Sequence, residues 1–94
     1  MAKKEKNLPD VNFPKVFFPD LVAYELDKAR DKHPGGMNSF HEAYGVILEE
    51  MDEFWDEVKT QKPQPEKILE ELSHIAAMCQ RAAEDLLKCN KTRK

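Results

Sequence analysis

Apolar residues recur at helical intervals in three stretches of the chain, and nowhere do they alternate as a half-buried strand would. Val22, Leu26 and Ala29 mark one face at i, i+4 and i+7. They predict a helix starting near Pro19 or Asp20, where proline suits the first turn and aspartate the cap, and running to about Lys32. His33-Pro34-Gly35-Gly36 stops it. Phe40, Tyr44, Ile47, Leu48, Met51, Trp55 and Val58 predict a second helix through about Lys59, opened by Ser39 and Glu42 at capping-box spacing. Thr60 to Pro65 breaks the pattern. Ile68, Leu69, Leu72, Ile75, Ala76, Cys79, Ala82, Ala83, Leu86 and Leu87 then carry a third helix from Pro65 to about Lys88. The fold expected is all-α: three main helices in an antiparallel bundle over residues 20–89, with the apolar stripes, Trp55 included, as its core. Residues 1–19, broken by Pro9, Pro14 and Pro19, form an N-terminal arm, and residues 90–94 a basic tail.

Length changes this picture. A chain of 94 residues can bury only a modest core. The arm also carries Val11, Phe13, Val16, Phe17 and Phe18, too apolar to be simply solvated. It is expected to dock on the helices or on a neighbouring subunit, with oligomerisation completing the bundle.

Charge narrows the function. Net charge is −3, yet residues 39–87 hold twelve acids against four bases, while Lys3, Lys4, Lys6, Lys88, Lys91, Arg93 and Lys94 gather at the ends. An acidic body is a poor footprint for a nucleic-acid polymer, whose phosphates call for a basic face. No apolar run approaches the ~18 residues a membrane span needs, and the charged start leads into no signal-peptide core. Cys79 and Cys89, ten residues apart, make neither a CxxC half-site nor a disulfide framework. The location expected is cytoplasmic, without a membrane partner.

The densest charge falls in "ILEEMDEFWDEV", residues 47–58, with six carboxylates and no base. Pairs such as Glu49/Glu53, Glu50/Glu53 and Glu53/Glu57 each cost an isolated helix about 0.2–0.5 kcal/mol. At about 100° per residue, Glu50, Glu53 and Glu57 line one flank of the second helix, and Glu71, His74, Met78 and Asp85 the corresponding flank of the third. Two antiparallel helices could bring these flanks to one cleft. A hard divalent cation would relieve the repulsion, since magnesium takes carboxylates, water and substrate phosphates as ligands. Salt-screened solvation of a charged face explains the same pattern, and the charges alone leave both readings open.

Two motifs add a resemblance. Glu49-Glu50-x-x-Glu53, followed after a short break by Glu70-Glu71-Leu72, resembles the MazG-like superfamily of all-α nucleoside triphosphate pyrophosphohydrolases, which carries ExxE on one helix and ExxD on the next. The likeness runs from about residue 21 to 87, and "SFHEAYGVILEEMDEFWDEV" and "AAMCQRAAEDL" are similar to a small phage and bacterial branch. It implies a homodimer or homotetramer with magnesium held at the four motif positions. It also implies water attack on a nucleoside triphosphate that releases pyrophosphate and leaves the monophosphate. Glu50, Glu53 and Glu71 would hold metal, and Glu53 is the carboxylate assigned to the attacking water.

One position departs from the pattern. Where the family has the aspartate of ExxD, this chain has His74. One neutral nitrogen suits manganese, nickel or zinc better than magnesium, so the metal set is Glu50, Glu53, Glu71 and His74 with Mg2+, Mn2+ or another divalent ion. Glu57 and Asp85 are carried as an additional site, though eleven residues of helix, about 16 Å, separate Asp85 from His74. Phe54 and Lys59 are candidates for nucleotide contact. Against all of these stand ordinary roles: a semi-exposed polar His74, solvated lysines, Trp55 in the core, and His33 and His41 as surface residues. No glycine-rich phosphate loop or nucleophilic triad accompanies them. The competing function is a catalytically lapsed member that binds nucleotide or metal, or serves as a helical oligomerisation module.

Overall fold

The structure is a computed structural model that describes residues 15–91. Val11 and Phe13 of the expected arm, and residues 92–94 of the expected tail, lie outside them. The described residues are all-α, with three helices: α1 Phe18–Lys32, α2 Phe40–Val58 and α3 Pro65–Leu86. No described helix is long and apolar enough to cross a membrane.

Local chemistry accounts for the ends. Pro19 sits in the first turn of α1, and Pro65 opens α3. Ser39 caps α2, its Oγ accepting the Glu42 N–H at 3.0 Å. The reciprocal half of the expected capping box is displaced by one residue: Glu42 Oε1 accepts from the Asn38 N–H at 2.7 Å, not from Ser39. α3 ends two residues before the expected Lys88. That residue takes a left-handed φ of 59°, which a helix cannot continue through.

α3 is the shared element, for α1 and α2 each pack on it and not on each other. Glu25 meets His74 and Arg30 meets Glu84, so α1 runs parallel to α3. Glu50 meets His74 and Glu57 reaches Gln64, so α2 runs antiparallel to it. Val22 and Leu26 of α1, Met37 of the α1–α2 link, Ala43 of α2, and Ala77 and Met78 of α3 form the buried apolar core.

The apolar stripes are only partly core. Phe40, Tyr44, Leu48, Met51 and Trp55 of α2 are exposed, Trp55 at 57%, as are Leu72 of α3 and Leu87 just after it. With α3 as its one helical partner among the described residues, α2 covers only the edge of its stripe that carries Ala43, Val46, Ile47, Glu50 and Phe54. α3, wedged between two helices, instead buries Ser73 (0% exposed), Ala77, Arg81 and Glu84. The small residues permit close approach. Ser73 is satisfied locally, its Oγ donating to the Glu70 carbonyl at 2.6 Å. Val16, Phe17 and Phe18, expected to dock, are exposed as well.

Because α1 and α2 stand apart over α3, they wall a cleft of about 800 Å³ with α3 as its floor. This shape brings the chemistry of three helices together.

Candidate metal centre

Glu50 and Glu53 stand on α2 at i, i+3, and Glu71 and His74 on α3 at the same interval, so each helix presents two side chains on one flank. Antiparallel packing sets the flanks face to face. One ligand-type atom from each of the four residues lies within 4.8 Å of all the others. Two donors about 2.1 Å from one ion stand about 3 Å apart at a right angle and about 4 Å apart when opposed. Small side-chain rotations therefore suffice to close this set around a cation.

His74 occupies the middle of the cluster. Its Nδ1 lies 3.6 Å from Glu50 Oε1 and 3.6 Å from Glu71 Oε1, while its Nε2 lies 3.1 Å from Glu25 Oε1 and 3.9 Å from Glu70 Oε2. Among the described residues, Glu50 Oε1 and Glu71 Oε1 are both shut off from solvent and have no hydrogen-bond partner. Buried carboxylate oxygens without donors are costly. Burial raises the pKa of Glu50 above its ordinary value, helped by the charges of Glu53 and Glu71 and opposed by His74. Burial likewise raises that of Glu71, His74 lowering it and Glu53 and Glu70 adding to the rise. The cluster thus has a deficit of positive charge at the two oxygens nearest Nδ1, and a divalent ion fits there by charge and by donor type.

Glu25 is the residue that sequence reading misses. It is buried on the inner face of α1, three residues after Val22 and next to Leu26, and its Oε1 also lies 3.5 Å from Lys28 Nζ. A carboxylate on an otherwise apolar face was the available signal.

The remaining expected residues fall elsewhere. Asp85 does not join Glu57: its carboxylate accepts the Met37 N–H at 2.9 Å and pairs with Arg30 at 3.2 Å, near the far end of α3. Glu57 Oε2 accepts the Gln64 N–H at 3.1 Å, closing the α2–α3 turn. These two acids sit toward opposite ends of α3, so they form no common site. Lys59 pairs with Asp56 at 3.2 Å, and neither Lys59 nor Phe54 lines the cleft. The cations on its walls are Lys28, Lys32, His33 when protonated, and Arg81. Glu50 and His74 belong to both the cluster and the cleft, with Glu53 and Glu71 just outside its lining. No protein-family model, curated protein or solved structure matches the chain.

Proposed function

We propose that the protein is a metal-dependent hydrolase that splits a nucleoside triphosphate into the monophosphate and pyrophosphate. The observation that carries this reading is the convergence of Glu50, Glu53, Glu71 and His74, with two orphaned oxygens, at the edge of a cleft that also bears Lys28 and Lys32. Carboxylates and ammonium groups lining one cleft suit a ligand whose phosphates bind both a cation and lysines. A cleft of about 800 Å³ lies in the range of small-molecule and cofactor sites.

In this reading Glu50, Glu71 and His74 hold the divalent ion, Mg2+ or Mn2+, together with Glu53. When bound, such an ion supplies Lewis-acid polarisation of a phosphoryl oxygen and a lowered pKa for water. Glu53 is exposed, so its carboxylate can accept a hydrogen bond from an attacking water and orient it in line with the scissile phosphoanhydride. Lys28 and Lys32 take the phosphate charge from the opposite wall. The test incubates the protein with canonical and modified nucleoside triphosphates plus Mg2+, Mn2+ or Co2+. Pyrophosphate release with at least one is expected, and none with any pair counts decisively against the reading.

One observation favours the lapsed alternative: His74 lies within 4 Å of four glutamates, and a protonated imidazole among them would offset part of their charge without metal. If His74→Asp creates hydrolysis where the parent shows none, the lapsed reading stands.

We propose further that the chain works as a homo-oligomer. The stripe of Tyr44, Leu48, Met51 and Trp55 along α2 supports it, since a chain with so small a core gains by burying that face. Trp55→Glu should shift sedimentation at micromolar concentration from the oligomer to the monomer. A parent chain already monomeric under those conditions removes the proposal.

A further inference from the structure

We propose that Glu25 is a positioning residue that makes His74 an Nδ1 ligand and gives the site a preference for a first-row transition ion, such as Co2+, Mn2+ or Zn2+, over Mg2+. The inference rests on the metal-dependent reading above and names which ion the site takes and why.

A neutral imidazole carries one N–H and one lone pair, and the group that accepts the N–H decides which nitrogen is free. Glu25 Oε1 stands 3.1 Å from Nε2, within hydrogen-bond distance, and the Glu25 side chain is only 9% exposed. Among the described residues, no carboxylate oxygen lies so near Nδ1. The N–H therefore points to α1 and the lone pair of Nδ1 to α2. That lone pair faces Glu50 Oε1 and Glu71 Oε1 across 3.6 Å each, and both oxygens are buried without a donor. Three electron-rich atoms converging on one point call for a cation between them. Carboxylate–histidine–metal relays have this arrangement, in which the outer carboxylate fixes the tautomer and raises the basicity of the ligating nitrogen.

Donor chemistry then sets the preference. Magnesium binds oxygen and parts reluctantly with water, whereas imidazole suits zinc, copper, iron and nickel, with affinity rising from manganese toward copper. An aspartate at position 74 would offer a fourth carboxylate; His74 offers a borderline nitrogen in its place. The preference is thus built by two residues on different helices, Glu25 on α1 and His74 on α3.

The test reads metal binding directly, without turnover. The full chain is titrated with Zn2+ while the imidazole nitrogens are followed by NMR. Co2+ affinity is read from its visible absorption, and Mg2+ affinity by competition. Zn2+ is expected to move the His74 Nδ1 resonance far more than Nε2, and Co2+ to bind more tightly than Mg2+. Glu25→Ala should weaken Co2+ binding by about 10- to 100-fold. Glu25→Gln should recover much of that loss, because its amide oxygen still accepts from Nε2–H. His74→Asp should reverse the preference toward Mg2+. An Nδ1 resonance unmoved by Zn2+, or Mg2+ binding as tight as Co2+, overturns the proposal, and both are measured on the unaltered chain. A protein that binds Co2+ through Nδ1 yet releases no pyrophosphate keeps this inference and loses the hydrolase reading. One that turns over with Mg2+ while Nδ1 stays unmoved does the reverse.

Discussion

Glu71→Gln should make the metal-free protein more stable and abolish its stabilisation by divalent ions. Glu71 Oε1 is buried without a donor and stands among Glu50, Glu53 and Glu70. Its pKa is raised, chiefly by burial, so in the pH range above 4.5 the folded state holds protons that the unfolded state has released. Stability therefore falls as pH climbs through that window, and the deficit is fully developed above the folded pKa. Glutamine removes the charge and most of the deficit. The variant's advantage in melting temperature should be small near pH 4 and larger at pH 7. Metal should reverse the order. On the metal-binding reading, an ion at 100 times its Kd should add about 2.7 kcal/mol, or roughly 11–22 °C in a domain of this size, to the parent protein. Glu71→Gln should lose that response, along with at least the roughly 100-fold that damage to a mere supporting residue can cost a metal site. Thermal melts at two pH values, with and without Co2+, check both halves. A variant that melts lower than the parent without metal, or that still responds to Co2+, sinks the account of the cluster.

Arg81→Met should cost about 3–5 kcal/mol, because it breaks a buried charge network while keeping the side chain's volume. Arg81 is 8% exposed, and its guanidinium donates to the carbonyls of His33 at 3.0 Å and Gly35 at 2.7 Å. Its Nε lies 3.7 Å from Asp85, which also accepts the Met37 N–H and pairs with Arg30, while Glu84 pairs with Arg30 at 2.8 Å. This set fastens the α1–α2 link to α3. Gly36 belongs to it by size, since a Cβ there would come within 3.4 Å of the Asp85 carboxylate. Losing Arg81 leaves two carbonyls without their donor and Asp85 short of a charge. The melting temperature should fall by about 12 °C or more. Lysine should rescue it only in part: the one nitrogen Nη2 serves both carbonyls, which an ammonium can imitate, but the Nε beside Asp85 has no counterpart. Burial pushes the Asp85 pKa up, but the Met37 N–H and the charges of Arg30 and Arg81 outweigh it and hold it below 3.8. Its contribution is thus complete above that value and is lost as pH falls through the folded pKa. A melting temperature within a degree or two of the parent's would show that the link is held by packing alone.

These two networks mark what sequence could and could not disclose. Ser39 before an apolar run names a helix start, because the cap is a local contract between residues three apart. Glu50/Glu53 and Glu71/His74 could be paired in advance, since helical spacing fixes a flank and a short turn fixes which helices face. Arg81 gave no such signal: its partners are backbone carbonyls 46 and 48 residues away, which no side-chain pattern encodes. Asp85 looked like a companion of His74 because it shares a flank, but position along the helix, not angle around it, put it among arginines. The stripe of Leu48, Met51 and Trp55 shows the same limit from the apolar side. Periodicity tells which face is greasy, not what covers it.

The dependence of α1 and α2 on α3 has a consequence for how the protein is made. Of the three helices, the one on which both others rest is made after them, and isolated helices of 15 and 19 residues are marginal in water. Until residues 65–86 emerge, neither has anything to bury against, and a chain stopped short of them exposes two apolar faces at once. Folding here must wait until residues 65–86 have been made, so a chain cut within that segment forfeits the whole three-helix unit, not just its final helix.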